Sequence, residues 1–374
     1  MRKFLIIVSI LLFGSAILCP FGIFRSLDDF RFDTVDAMAR LYFYMKKPYD
    51  PSSLKEKLKN PAPTWAQERI DEISLRCSSQ KLTDYLGQFS KEALQNTLLL
   101  IRIRLINGKI ETYPETLNRF QGRLEAVLKA LNYLNEENLL PQDLDFILCI
   151  NDKIFDDYKG EVPIFVFSKN LDRINEKNLI LIPDGMNLSR WGHVETTIHF
   201  ANFIYPWHKK KDILFWRGSN TNPIRLKAAE LSKQSSFFDI ELTDGRNEQY
   251  LIPEYQIQYK YLLSLDGISS SWPGLLWKLA SNSVVLKQKS SHVQWYYNGL
   301  SPSVHFIEIQ EDLNDLQEKF TKAQHNINDG QMMTNAAQNF IKNNVTYEEM
   351  LHYMARIFKA YRNLPDNPNI DPIN

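Results

Sequence analysis

The spacing of apolar residues predicts a helix over residues 118–134. There Phe120, Leu124, Val127, Leu128, Leu131 and Leu134 fall on one stripe at helical period. Arg123, three residues after Phe120 and four before Val127, borders that stripe. A different pattern follows. The runs 146–150, 162–167 and 178–182 are apolar at successive positions and end in polar residues. Successive apolar positions cover both faces of a strand, which suits a parallel sheet buried on both sides. The second half repeats the theme, with strands predicted at 212–216, 259–265, 283–287 and 304–309 and a helix at 273–279. Asn222 ahead of Pro223 reads as a helix cap and the first helical residue. Residues 26–112 read as mostly helical and polar, broken at Pro51, Pro61 and Pro63. Residues 319–359 read as helical with a break at Asn343-Asn344, and the tail 363–374, rich in Pro and Asn, as loose. Alternating strands and helices with short links predict an α/β fold of two layers meeting at a cleft.

The N-terminus follows another rule. Arg2 and Lys3 precede a nearly unbroken apolar run over residues 4–24. It exceeds the about 7–15 apolar residues of a cleaved signal and approaches the about 20 of a membrane-spanning helix. An uncleaved single-pass anchor, with Arg2 and Lys3 on the cytoplasmic side, is preferred to an export signal cleaved near Ser15 and Ala16. Either way residues 1–25 stand outside the fold. The remainder divides into an α/β unit with a helical lead-in over 26–204, a second α/β unit over 205–345, and a C-terminal helix and tail over 346–374.

Composition narrows the function classes. A chain of 374 residues is long enough for two α/β domains. Lys and Arg number 44 and Asp and Glu 44, which argues against a general nucleic-acid binder. Cys19, Cys77 and Cys149 have no metal-ligand spacing and make no disulfide framework. No metal site and no resident cofactor is expected.

Three places could carry chemistry. In the loop Arg217-Gly218-Ser219-Asn220-Thr221, Gly218 allows close backbone approach and the hydroxyls can donate. Arg225 then falls in a first helical turn, where the helix dipole disfavours a cation. An anion held between Arg225 and the free helix amides would resolve that conflict, although an arginine paired with a surface carboxylate fits the spacing equally well. Ser269-Ser270-Ser271, leaving a strand and entering a helix, could cradle a phosphate or simply cap the helix. Asp152 directly follows a buried strand, the usual place for a catalytic group in an α/β sheet and also for a turn aspartate. Asp156-Asp157 reads as a solvated loop, and His305, inside an apolar strand, as a satisfied core residue.

These pieces together resemble glycosyltransferase family 90, which holds Rumi-like protein O-glucosyltransferases, capsule xylosyltransferases and bacterial lipopolysaccharide core transferases. Phe120-Gln121-Gly122-Arg123 resembles the family's donor segment, and the run from Asp143 to Asp152 its catalytic segment. Leu188-Ser189-Arg190-Trp191 is similar to a Leu-Gly-Arg-Trp element. Phe215-Trp216-Arg217-Gly218-Ser219 with Arg225 is similar to the Arg-Gly-Ser donor loop, and the stretch from Tyr259 to Ser271 to a second nucleotide loop. Residues 281–287 and 295–306 complete the pattern, most like the bacterial branch.

The resemblance implies a GT-B-like architecture of two Rossmann-type domains facing a cleft, with 26–204 mainly on the acceptor side and 205–345 binding the nucleotide-sugar. It implies an inverting, metal-independent transfer from a UDP-sugar to a hydroxyl of a glycan, glycolipid or protein. Asp152 would be the base, and Arg123, Arg217, Gly218, Ser219, Arg225, Ser269, Ser270 and Ser271 would face the donor. Pro273 departs from the pattern, standing where many relatives have an arginine. A membrane-tethered nucleotide-sugar or glycan-binding protein without turnover is the alternative reading that Pro273 favours.

Overall fold

A computed structural model describes residues 51–243 and 253–365. The apolar segment at 4–24 and the end of the tail lie outside the described residues. No helix among the described residues is long and apolar enough to cross a membrane.

Two five-stranded sheets organise the chain. The first contains β1 (Leu100–Ile106), β2 (Lys109–Tyr113), β3 (Leu144–Cys149), β4 (Ile164–Val166) and β5 (Leu179–Leu181), in the order β2-β1-β3-β4-β5. The last three are parallel, as their two-faced apolar runs predict. β1 is antiparallel to both neighbours, so this sheet is mixed. The helical expectation for 26–112 holds over Pro51–Lys59, Thr64–Asp71 and Ser79–Leu86, and the β1–β2 hairpin corrects it beyond them. Its signal is local: Ile101, Ile103 and Leu105 are buried and alternate with Arg102 and Arg104. Asn107 and Gly108, at φ 50 and φ 75, then make the two-residue turn that favours a hairpin. Arg102 clamps β1 to β3 through Asp145 at 2.6 Å.

The second sheet is wholly parallel. It contains β6 (Lys211–Gly218), β7 (Phe238–Leu242), β8 (Tyr259–Ser264), β9 (Val284–Gln288) and β10 (Ile307–Ile309), in the order β10-β9-β8-β6-β7. β10 is shorter than expected because Ser303, at φ 64, turns the chain and Val304 is exposed. His305 therefore sits before the strand, where its Nδ1 accepts from Ser301 N–H at 2.9 Å.

The helices connect and cover these sheets: α1 (Gln121–Glu136), α2 (Gly185–Ile204), α3 (Pro223–Ser232), α4 (Gly274–Ala280), α5 (Leu316–His325), α6 (Ile327–Asn344) and α7 (Tyr347–Asn363). Leu124, Val127, Leu131 and Leu134 of α1 are buried, as their stripe predicts. Asn344 ends α6, so the expected break is there, and Asn326 adds an earlier one.

After the second sheet the chain returns to the first. In α7, Phe358 packs on Phe146 and Phe165 with ring centroids 4.9 Å and 5.0 Å away. Tyr353 and Tyr361 donate their hydroxyls to the carbonyls of Leu181 and Asp145. Each fully buried side chain of this kind contributes roughly 1.5–3 kcal/mol. α7 therefore completes the core of the first sheet.

Candidate functional site

Asp152 comes three residues after β3 ends at Cys149, beyond the carboxyl end of a strand in a parallel pair. Its Oδ1 accepts from Arg123 Nη1 at 2.8 Å, Ser271 Oγ at 3.0 Å and the Trp272 indole at 2.9 Å. Among the described residues Oδ2 has no donor. One oxygen is thus fixed by the protein, while the other keeps its lone pairs for a ligand or water.

Arg123 supplies the strongest of those contacts. It stands in the first turn of α1, which Phe120 starts at φ 57, and only 2% of its surface is exposed. Its guanidinium also meets Asp184, with Nη2 to Oδ2 at 2.6 Å and Nε to Oδ1 at 3.4 Å. Burial works against the Arg123 charge, but Asp184 and then Asp152 outweigh it and raise its pKa. The rings of Phe167 and Trp272 flank the guanidinium at 4.7 Å and 5.5 Å. The resemblance sets Arg123 on the donor; the structure commits it to two aspartates, where it orients Asp152.

Asp184 reaches Arg123 because it caps α2, its Oδ1 accepting from Met186 N–H at 2.7 Å. Gly185 makes the approach possible, since a Cβ there would collide with the Arg123 backbone. Only glycine lets α2 start so close to α1.

The second half contributes the loop after β8. Ser269 Oγ donates to the Asp152 carbonyl at 2.5 Å and lies 3.0 Å from Ser271 Oγ. Ser270 Oγ is 2.9 Å from Ser168 Oγ. All three serines line the cavity described below, but their hydroxyls join the two halves and steady Asp152; a phosphate cradle is not what these bonds build. Trp272 closes the junction. Its backbone N–H donates to Asp184 Oδ2 at 3.2 Å while its indole holds Asp152. It does so at φ 89, a conformation that costs a bulky side chain energy and marks a position held by its surroundings.

The loop after β6 faces the same space. Arg225 donates to three carbonyls: Asp266 at 2.9 Å, Ser219 at 2.9 Å and Leu265 at 3.3 Å. Among the described residues no carboxylate pairs with it. Burial lowers its pKa, and the Asp266 charge opposes that shift. Gly267 permits the arrangement, because a Cβ there would stand 3.0 Å from Arg225 Nη2. Ser219 is exposed, and its hydroxyl has no protein partner among the described residues. Gly218 leaves room for the Trp216 ring, which a Cβ would meet at 2.6 Å. Arg217 is occupied by Asp239, at 2.5 Å from its carboxylate and 2.8 Å from its carbonyl. The helix amides expected beside Arg225 are also taken. Asn222 Oδ1 accepts from Ile224 N–H at 3.1 Å, the Asn222 carbonyl accepts from Arg225 N–H at 3.0 Å, and Pro223 has no N–H.

These elements enclose a cavity of about 850 Å³. Asp152 and Trp191 line it from the first half; Arg217, Gly218, Ser219, Arg225, Asp266 and the three serines line it from the second. That volume lies within the roughly 300–1,000 Å³ of small-molecule sites. The geometry can hold an anion against Arg225 while presenting a carboxylate oxygen across the same space. Elsewhere, Asp156 is a surface partner of Lys153 and Arg173. Among the described residues no group of three or more His, Cys, Asp or Glu stands close enough to hold a metal ion.

The model of the glycosyl transferase family 90 matches residues 81–370, and the chain belongs to that family. It is 25% identical over 318 residues to protein O-glucosyltransferase 1 of Bos taurus, covering 75% of this chain and 78% of that one. Protein O-glucosyltransferase 3 of Homo sapiens is 22% identical over 341 residues, covering 85% of this chain and 65% of its own. Protein O-glucosyltransferase 2 of Danio rerio is 29% identical over 170 residues, which cover 42% of this chain and 34% of that relative. The matched region thus ranges from about a third to three-quarters of these relatives' lengths.

Proposed function

We propose that the chain transfers a sugar from a UDP-sugar to an acceptor hydroxyl with inversion at the anomeric carbon, in a GT-B-like cleft between its two sheets. The observation that carries this reading is Asp152, with Oδ1 fixed by three donors and Oδ2 open, across one cavity from Arg225. Oδ2 takes the proton of the acceptor hydroxyl as its oxygen bonds to the anomeric carbon. The bond from that carbon to the β-phosphate oxygen breaks, and its electron pair leaves with the diphosphate. Arg225 and the Ser219 hydroxyl stabilise the charge that grows there. The names of the curated relatives make glucose and a protein hydroxyl the first pair to test, with a lipopolysaccharide-like glycan or glycolipid next. We place the segment 4–24 in a membrane as the tether.

The test is UDP release from a panel of UDP-sugars by the full-length protein, with protein and glycan acceptors added in turn. Acceptor-dependent release with one sugar is the expected result. A protein that binds no UDP-sugar overturns the proposal. Binding without release under every acceptor leaves the tethered binding protein that Pro273 favours.

A further inference from the structure

Four lysines are buried among the described residues: Lys169, Lys210, Lys278 and Lys287. Three have partners. Lys169 meets Glu72 at 2.8 Å, Lys210 donates to the Ile257 carbonyl and Ser283 Oγ, and Lys287 donates to the Gln288 carbonyl. Lys278 is the exception. It lies in α4, the helix that follows the serine loop, with 7% of its surface exposed, and lines the cavity that Arg225 lines. Among the described residues its ammonium has no hydrogen bond and no carboxylate. Its cationic contact is with the Trp277 ring, at 5.3 Å.

A buried ammonium without a partner is costly, and a second cation beside it adds to that cost. The other titratable groups on the cavity wall do not relieve it. Asp152 is tied to Arg123, Arg217 is tied to Asp239, and Tyr297 is a neutral phenol. The Asp266 carboxylate acts on Arg225 and Lys287. An anion with more than one charge, held in the cavity, offsets both cations.

We propose that Lys278 is the second cation of the donor's diphosphate subsite, closing on the anion from α4 while Arg225 closes from α3. The assignment rests on the donor reading given above. Burial, and then the Arg225 charge, push the Lys278 pKa down to about 7, so above that pH the side chain is mostly neutral. A diphosphate beside it restores the charge, and donor entry takes up a proton.

Calorimetry of the full-length protein with UDP at pH 8, in two buffers of different ionisation enthalpy, measures that proton. At this pH the terminal phosphate is already ionised, its second pKa being about 6. Uridine is the control ligand. Wild type takes up a substantial fraction of a proton with UDP and none with uridine. Lys278→Met loses the uptake and binds UDP at least about tenfold more weakly, with uridine affinity unchanged. Lys278→Arg recovers affinity without uptake, which separates charge from fold, and melting curves confirm folding of both variants. UDP affinity and uptake in Lys278→Met equal to wild type overturn the inference and leave the donor site intact. A wild-type protein that does not bind UDP overturns the donor reading itself, and this inference with it.

Discussion

Asp152→Asn is the substitution that separates a base from a structural aspartate. The amide can keep its oxygen where Oδ1 now accepts at 2.8, 2.9 and 3.0 Å, so all three donors remain satisfied. Its NH₂ then takes the place of Oδ2, where no protein donor lies to clash with it. What is lost is charge opposite Arg123, and Arg123 keeps its contact with Asp184 at 2.6 Å. A hydrogen bond to a charged group is worth about 1.5–3 kcal/mol and a neutral one about 1. The fold should therefore lose only about 1–2 kcal/mol. The reaction loses more, because an amide takes no proton, and general-base assistance is worth roughly 10²–10⁴-fold. The assay compares transfer rate, UDP affinity and melting temperature in wild type and variant. The expected result is normal UDP affinity, a small fall in melting temperature, and transfer reduced by at least about 100-fold. Full transfer activity refutes Asp152 as the base, and collapse of the fold shows that the aspartate serves the Arg123 cluster instead.

Four further outcomes follow from the same geometry. Arg225→Ala should weaken UDP binding by roughly 2–5 kcal/mol, and Arg225→Lys should recover part of it, since an ammonium lacks the planar fork; unchanged affinity removes Arg225 from the site. Gly185→Ala, by forcing α2 away from Arg123, should destabilise the protein by roughly 1–3 kcal/mol and reduce transfer together with stability; a neutral effect on both contradicts the close approach. The Lys278 pKa of about 7 lies below its usual value of about 10.4, so between these pH values the unfolded chain binds the extra proton and stability rises with pH. The penalty is full below about pH 7, and Lys278→Met should lift denaturant stability there by a few kcal/mol while flattening the rise toward pH 10; identical slopes refute the burial argument. Removal of residues 1–25 should yield a soluble protein that still binds UDP, and aggregation of that variant but not of the full-length protein in detergent would make the segment part of the core.

Much of the second sheet was legible because three of its strands and the cap of α3 announce themselves locally, while β7 went unread. Asn222-Pro223 set the start of α3, and the apolar runs matched β6, β8 and β9 to within a residue or two. The β1–β2 hairpin was missed although Asn107-Gly108 and the alternation of Ile and Arg carried its signal. Arg123 and Asp152 stood out as positions, but their pairing is a tertiary fact, as are the contacts of Asp184 and Trp272. The three serines illustrate the limit. A hydroxyl able to hold a phosphate is equally able to hold a carboxylate or a carbonyl, and only the fold decides which it meets. Lys278 was invisible for the opposite reason, since an unpaired charge is defined by neighbours that sequence does not supply.

The return of α7 to the first sheet has a consequence for how the cleft can move. The second sheet is inserted between two segments of the first core, so the polypeptide crosses from one half to the other twice, near Tyr205 and again near Val345. Any swing that widens the cavity must bend both crossings together. The same threading delays assembly on the ribosome. Phe146 and Phe165 are made long before Phe358, and until α7 emerges the first sheet must wait with that apolar face uncovered.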